Sequence, residues 1–225
     1  MTETTRCDVL IIGGGPAGAS CARALKQAGL DVRVLDKSSF PRDKVCAGWV
    51  TPQVLAALDI DTADYARGRV LQPISGFRTG LIGNQAMDTD YDRTISYGIR
   101  RCEFDHYLLQ HAGVPLLLGE PVRSLQRNDY GWRVNDHIET RLLIGAGGHF
   151  CPVAQHLGAR TGRDERAVFA QETEFAMSPG QRSACRAQGE RPELYFCNDL
   201  KGYGWVFRKD DYLNIGLGRE AREQL

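Results

Sequence analysis

Hydrophobic positions near the N-terminus change from a continuous run to helical spacing and back again. Val9–Ile12 is a run of apolar residues, which is typical of a buried strand. Apolar residues from Ala19 to Ala28 then recur at helical spacing, and Gly29 is a stop signal for that helix. A second strand is predicted at Asp31–Leu35. A strand, a helix and a strand in this order predict an α/β sheet at the start of the chain.

The rest of the chain consists mainly of short strand-like segments bounded by turn-forming residues. Strands are predicted at Ile74–Thr79, Gln85–Asp90, Thr94–Gly98, Pro115–Leu118, Val122–Arg127, Trp132–Val134, His137–Glu139, Arg141–Gly148, Val168–Ala176, Glu193–Cys197, Tyr203–Arg208 and Tyr212–Gly218. Helices are predicted at Gln53–Leu58 and Cys102–Ala112, and a polar helix is predicted to begin at Arg219. Lys209, Asp210 and Asp211 predict a tight hairpin turn between the last two strands.

The turn between the first strand and the first helix has glycine at three fixed positions. Gly13 permits the tight turn, Gly15 leaves space for phosphate oxygens against bare backbone, and Gly18 lets the helix lie close to its strand. The helix begins near Pro16 and Ala17, where its unpaired N–H groups favour an anion. The pattern therefore predicts a pyrophosphate site. The alternative is a glycine turn without a ligand.

An acidic residue stands at the end of the second predicted strand, at the spacing that a dinucleotide site requires. Asp36 is placed to accept hydrogen bonds from an adenosine ribose, and Lys37 follows it. Because a carboxylate repels a 2′-phosphate, NADP is disfavoured at this site and FAD or NAD remains. The alternative for Asp36 is a solvated residue at a strand end.

Length, charge and cysteine content narrow the class of protein. A chain of 225 residues allows one large domain or two interleaved ones, and its formal net charge of zero favours neither nucleic acid nor an anionic membrane as partner. No basic leader precedes the first apolar run, so a cytoplasmic location is expected. The seven cysteines are scattered without a CxxC pair, which favours reduced thiols and no metal site.

Four segments spread along the chain carry a resemblance to a known family. They are GGGPAGAS at Gly13–Ser20, PRDKVCAG at Pro41–Gly48, RCEFD at Arg101–Asp105 and GYGWVFRKDDYLNIGLG at Gly202–Gly218. Together they resemble flavoproteins of the para-hydroxybenzoate hydroxylase fold, and within that group the geranylgeranyl reductase and FixC-like branch. The resemblance implies FAD as the cofactor.

The resemblance also implies an α/β fold class, with a Rossmann-like FAD/NAD(P)-binding domain and an interleaved antiparallel β-sheet substrate domain. Residues 1–72 and 98–162 are assigned to the first domain, and residues 73–97 and 163–225 to the second. Relatives have a Gly-Asp dipeptide late in the chain, and none occurs here. We therefore expect an N-terminal portion of a longer protein, with an incomplete nucleotide sheet and weak retention of flavin.

Further cofactor-binding residues follow from the resemblance, position by position. It implies that Arg42 and Lys44 lie close to FAD, that Arg101 contacts its ribose or pyrophosphate region, and that the backbone at Val122 borders the adenine. Gly147 stands at the nucleotide site where many relatives have an aspartate before a glycine, so that carboxylate contact is missing here. The alternative for each arginine and lysine is a solvated surface charge.

Cys46 is the candidate catalytic residue. Related reductases place a cysteine at this position, beside the flavin and the substrate channel. Arg42 and Lys44 flank it in sequence, and nearby positive charge lowers the pKa of a thiol. The alternative is a packed thiol without chemistry.

The sequence and the resemblance together favour an FAD-dependent oxidoreductase. Reduced flavin would reduce a carbon–carbon double bond of a small apolar, isoprenoid-like substrate, with electrons from NAD(P)H or a redox protein. Contact with a membrane is expected only through that substrate. Tyr203, Trp205 and Phe207 alternate along one strand and would line the substrate cavity, or at least two of them would be core residues.

Two other functions remain open at the level of sequence. The same fold serves flavin monooxygenases, which hydroxylate their substrates. The chain is also compatible with a non-catalytic nucleotide-binding module, because the aspartate before Gly148 and the late Gly-Asp dipeptide are missing.

Overall fold

The structure, a computed structural model, describes residues 4–159 and 168–220. The strands are β1 (Thr5–Ile12), β2 (Val32–Asp36), β3 (Trp49–Val50), β4 (Leu71–Ile74), β5 (Gly76–Leu81), β6 (Met87–Asp90), β7 (Ser96–Ile99), β8 (Leu116–Leu118), β9 (Leu125–Asn128), β10 (Gly131–Val134), β11 (Ile138–Gly145), β12 (Val168–Ala176), β13 (Glu193–Phe196), β14 (Gly202–Lys209) and β15 (Tyr212–Glu220). The helices are α1 (Pro16–Gln27), α2 (Pro52–Ala57), α3 (Thr62–Tyr65), α4 (Arg101–Ala112), α5 (Pro152–His156) and α6 (Pro179–Ala184).

The described residues form two units. The first, the nucleotide unit, takes its residues from Met1–Arg42 and Phe104–Thr161, and the second, the sheet unit, from Asp43–Glu103 and Gly162–Leu225. The segment 43–72, assigned to the FAD-binding domain from sequence, here contributes β3 and β4 to the sheet unit. The predicted domain boundaries stay a prediction.

The N-terminal apolar run forms the centre of the nucleotide unit. Its six-stranded sheet has the order β8-β2-β1-β11-β10-β9, and β1 is parallel to both of its neighbours. Ile12 at the end of β1 pairs with Leu35 of β2 and Gly145 of β11. Because carboxyl ends of parallel strands meet at one edge, the turns after β1, β2 and β11 lie together. This edge is where the sequence predicts the nucleotide site.

Two strands predicted separately, at His137–Glu139 and Arg141–Gly148, are one continuous strand, β11. The two predictions left out only Thr140, which directly precedes the charged residue Arg141. Its side chain is exposed and forms an ion pair with Asp8, at 3.6 Å, while the backbone stays paired with β1. The charge is therefore compatible with the strand because its side chain reaches solvent.

Glu139 is the centre of a charge cluster in the nucleotide unit. Its carboxylate accepts hydrogen bonds from Arg133 Nη2 at 2.7 Å and from Arg6 Nε at 2.9 Å. Asn128 Nδ2 donates a third bond, at 3.3 Å. The bonds from Arg133 and Arg6 hold the pKa of Glu139 below its ordinary value of 4.5. The ionised carboxylate is therefore favoured in the folded protein.

We expect Glu139→Gln to flatten the acid dependence of thermal stability. Because the pKa of Glu139 is lowered in the folded protein, its ionised carboxylate stabilises the fold at pH values above the ordinary pKa of 4.5. This stabilisation is lost as the pH falls through the pKa that Glu139 has in the folded protein. Melting temperatures measured from about pH 6 to about pH 3 should thus fall less steeply in the variant. Asp129→Asn, which changes an exposed carboxylate in the neighbouring turn, is the control and should follow the wild type. If the melting temperatures of Glu139→Gln and of the wild type fell equally steeply with pH, the lowered pKa of Glu139 would be refuted.

The sheet unit contains two sheets. The larger has the order β12-β15-β14-β13-β5-β6 and the smaller the order β3-β7-β4. Pairing in the larger sheet is antiparallel except between β13 and β5. The predicted hairpin turn is confirmed, because Lys209 pairs with Tyr212 across Asp210 and Asp211.

The end of the described chain differs from its prediction. Arg219 and Glu220, predicted to begin a helix, continue β15 and pair with Phe169 and Val168 of β12. The partner strand supplies backbone hydrogen bonds that sequence pattern cannot show. The remainder of the predicted helix, residues 221–225, lies outside the described residues. Within residues 4–159 and 168–220, every helix is too short or too polar to cross a bilayer.

Candidate functional site

The glycine turn after β1 is shaped by close backbone contacts. Gly13 has a φ of +113°, and a Cβ there would lie 2.4 Å from the carbonyl oxygen of Ala146. A Cβ at Gly18 would lie 1.8 Å from the carbonyl oxygen of Gly13. Both positions therefore need glycine for the turn and for the packing of α1 on β1.

Gly15 is a glycine for a different reason. Its backbone is extended, with φ −71° and ψ −176°, which any residue adopts. A Cβ there would have its nearest contact at 3.6 Å, with Arg42 Nη2. The space beside Gly15 is thus open, and a guanidinium borders it. Pro16 and Ala17 follow in the first turn of α1, and no side chain of the described residues caps this helix N-terminus.

Asp36 joins the end of β2 to the glycine turn. It is buried, and its Oδ2 accepts a hydrogen bond from the Gly14 amide at 2.7 Å. Its Oδ1 accepts from the Ser38 amide at 2.8 Å. A carboxylate has about four acceptor positions, so both oxygens retain capacity for ribose hydroxyls. Lys37, the next residue, is exposed.

The buried carboxylate of Asp105 holds the Arg42 guanidinium at this site. Asp105 is 0% exposed, and its Oδ2 lies 3.3 Å from Arg42 Nη2. The Arg42 guanidinium carbon also lies 4.8 Å from the centre of the Phe40 ring. The positive charge is therefore held beside Gly15. Arg42 is among the site residues that the resemblance implies, whereas Asp105, which ends the RCEFD motif, is not among them.

The turn after β11 forms the other side of this edge. The Ala146 amide donates to the carbonyl oxygen of Ile12 at 2.8 Å. A Cβ at Gly147 would lie 3.1 Å from the Cα of Cys151, so the backbone is closely packed there. Val122 is half-buried against the apolar cluster that includes Leu35, in a segment before β9 rather than within a strand. Its predicted contact with adenine stays a prediction.

Three predicted site residues belong to the sheet unit. Lys44 is exposed, and Arg101 is half-buried at the start of α4. Cys46 is half-buried, and its Sγ accepts a hydrogen bond from the Gly48 amide at 3.4 Å. The structure therefore brings together the glycine turn, Asp36 and Arg42, whereas the cofactor contacts of these three residues stay predictions.

The aromatic residues of β14 divide into core and surface. Trp205 and Phe207 are buried, and Trp205 Nε1 donates to Asn214 Oδ1 at 2.7 Å. Tyr203 is partly exposed and stacks at 5.7 Å from the Trp205 ring. Two of the three residues are therefore core, in agreement with the alternative given for them from sequence.

A family model described as the FAD binding domain matches residues 6–185. The chain belongs to this family. FAD is accordingly its cofactor, and the residues of the nucleotide unit fit the adenosine diphosphate half of FAD. The open space at Gly15, the cation of Arg42 and the acceptor oxygens of Asp36 lie at one sheet edge.

Curated proteins that are similar to the chain include ones named as reductases. The chain is 48% identical over 236 aligned positions to a menaquinone reductase of Mycolicibacterium smegmatis, covering 96% of this chain and 56% of the relative. It is 28% identical over 234 positions to a geranylgeranyl diphosphate reductase of Rhodobacter capsulatus, covering 95% of this chain and 54% of the relative. The chain thus spans about half the length of these relatives.

Solved structures show the same fold. A geranylgeranyl bacteriochlorophyll reductase-like protein from Thermoplasma acidophilum matches with a TM-score of 0.73 at 19% identity, over 96% of this chain and 57% of that one. A variant of halogenase PltM in complex with FAD matches with a TM-score of 0.73 at 20% identity, over 95% of this chain and 51% of that one. The Rossmann-like α/β fold predicted from the sequence is therefore confirmed.

Proposed function

We propose that the protein is an FAD-dependent reductase that saturates a carbon–carbon double bond in an isoprenoid-like substrate. The observation that carries the proposal is the 48% identity to a menaquinone reductase over 96% of the chain. Menaquinone and geranylgeranyl diphosphate, in the names of two relatives, both carry isoprenoid chains. We place this reaction in the cytoplasm and expect the protein to contact a membrane only through its substrate.

The residues of the nucleotide unit hold the cofactor in this proposal. Arg42, fixed by Asp105, supplies the positive charge for the diphosphate, and the N-terminus of α1 supplies backbone N–H donors. Asp36 accepts from the ribose while it keeps the glycine turn in place. When bound, FAD supplies hydride transfer. The electron donor proposed is NAD(P)H or a redox protein.

One face of the sheet unit has the chemistry that an apolar chain requires. Phe196 pairs directly with Tyr203, so their side chains share a face, and both are partly exposed. Trp49 is also exposed, and its ring lies 5.1 Å from Phe77 and 6.2 Å from Phe207. Exposed aromatic side chains grouped in this way mark a binding surface for apolar ligands.

The test of the proposal is anaerobic reduction of menaquinone. Protein loaded with FAD and reduced by dithionite is mixed with menaquinone, and the lipid product is analysed by mass spectrometry. We expect a product with two added hydrogens in its isoprenoid chain and reoxidised flavin. The control omits the protein while keeping free FAD and dithionite.

Two results would contradict the reductase proposal. A product that appears only with oxygen and carries an added oxygen atom would instead identify a flavin monooxygenase, which the same fold serves. Bound FAD that neither accepts nor delivers electrons would identify a nucleotide-binding module.

A further inference from the structure

The sheet unit contains a buried lysine that lies outside the proposed cofactor site. Lys209, at the end of β14, is 1% exposed. Its Nζ donates to the carbonyl oxygens of Ile99 at 2.9 Å and Ala47 at 3.0 Å, and to the carboxylate of Glu174. An ammonium group has three N–H donors, and here all three have acceptors. These hydrogen bonds therefore offset the free-energy cost of burying the ammonium charge.

A buried asparagine lies next to this lysine and acts on the same segment. Asn214 of β15 is 0% exposed, and its Nδ2 donates to the carbonyl oxygen of Cys46 at 3.3 Å and to Glu172 Oε2 at 2.9 Å. Its Oδ1 accepts from Trp205 Nε1 at 2.7 Å. The bond from Trp205 fixes the orientation of the amide, so the Nδ2 group is directed at Cys46.

The segment from Cys46 to Gly48, which we call the cysteine turn, is thus held at two consecutive carbonyls. Gly48 has a φ of +69°, and a Cβ there would lie 2.0 Å from the carbonyl oxygen of Ile99. The Gly48 carbonyl accepts from the Ile99 amide at 2.8 Å. The Gly48 amide donates to Cys46 Sγ, so the thiol is oriented by the turn itself.

We propose that Lys209 and Asn214 are positioning residues that fix the cysteine turn and thereby set the exposure and orientation of the Cys46 thiol. Their role in the reaction rests on the proposed function and on the family resemblance, which implies that Cys46 lies beside the flavin and the substrate channel. Both residues belong to the GYGWVFRKDDYLNIGLG segment, which the FAD site described above does not use. These contacts give a role to a buried lysine and a buried asparagine on two adjacent strands.

Pairing with the Glu174 carboxylate does not by itself explain why a lysine is buried at position 209. Arg100 Nε also donates to Glu174, at 3.1 Å, and therefore already pairs with that carboxylate. The Lys209 ammonium also connects the backbone carbonyls of Ala47 and Ile99 to β14. Removing the ammonium should therefore release the turn while the carboxylate keeps a cation.

The test compares Lys209→Met with the wild type by alkylation of individual cysteines. Iodoacetamide labelling of each cysteine-containing peptide is followed by mass spectrometry over a range of pH, and the limiting rate at high pH is compared, because it does not depend on the thiol pKa. We expect the limiting rate at Cys46 to rise roughly five-fold or more, since each lost hydrogen bond shifts local opening by about that factor. Cys185 and Cys197, in the same unit, should keep their wild-type rates.

Two variants complete the design. Lys201→Met removes an exposed positive charge from the same unit and should leave every rate unchanged. Lys209→Gln is shorter and neutral but keeps an N–H donor, so we expect an intermediate rate at Cys46, and this variant serves if Lys209→Met does not fold. An unchanged rate at Cys46, or an equal rise at all cysteines from general loosening, would overturn the proposal.

The same variants separate this inference from the proposed function. A faster Cys46 reaction together with unchanged menaquinone reduction would support the positioning role and remove Cys46 from the reaction. Failure of wild-type protein to reduce menaquinone would refute the reductase while the alkylation result still decides the role of Lys209.

Discussion

Replacing Gly15 by valine should abolish binding of FAD while leaving the fold intact. The backbone at Gly15 is extended and the nearest contact of a Cβ is at 3.6 Å, so the folded protein accepts the side chain. The same side chain occupies the space proposed for the diphosphate. We expect affinity for FAD to fall at least about 100-fold, which corresponds to about 2.7 kcal/mol. Titration of the apoprotein with FAD, followed by flavin fluorescence, measures this change.

The matched control for this experiment is Gly180→Val. Gly180 lies in α6 of the sheet unit, and a Cβ there would meet nothing within 4 Å. Its melting temperature and its affinity for FAD should equal those of the wild type. Wild-type affinity in Gly15→Val would show that the diphosphate does not lie against this glycine. The nucleotide site would then have to be assigned elsewhere.

Replacing Asp105 by asparagine should lower both stability and affinity for FAD. The substitution leaves the Arg42 guanidinium, whose side chain is only 20% exposed, without its buried carboxylate partner. Removing one member of a buried ion pair costs about 3 kcal/mol or more. Chemical denaturation of the apoprotein measures the stability change, and FAD titration measures the loss of a fixed cation beside Gly15.

A double variant distinguishes the two roles of this ion pair. In Arg42→Met with Asp105→Leu, both charges are replaced by apolar groups, and such replacements recover stability in buried pairs. We therefore expect stability close to that of the wild type and no recovery of FAD affinity. Recovery of both properties would show that Arg42 has no role in binding the cofactor.

Local signals explain why part of the candidate site was predictable from the sequence. Gly13 and Gly18 follow an apolar run at fixed spacing, and that spacing alone determines a turn and a close helix contact. Asp36 follows at the end of the next strand. In each case the residue, its neighbours in sequence and its backbone partner belong to one strand–helix–strand unit.

Tertiary partners explain why other features were not predictable. Asp105 contacts Arg42 across 62 intervening positions of sequence, and no local pattern identifies such a pair. The sequence predicts Lys209 only as part of a hairpin turn. Its burial depends on acceptors from separate segments, which no local pattern shows. The continuation of β15 through Glu220 likewise depends on its pairing with β12.

The two amides bound to Asp36 have an evolutionary consequence for coenzyme preference. Acceptance of a 2′-phosphate at this position would require loss of the carboxylate, because like charges repel. That loss would also remove the acceptor for the Gly14 amide and release the loop that receives the diphosphate. Relatives that changed coenzyme here would consequently need a compensating acceptor elsewhere, so a single substitution is a poor route to that change.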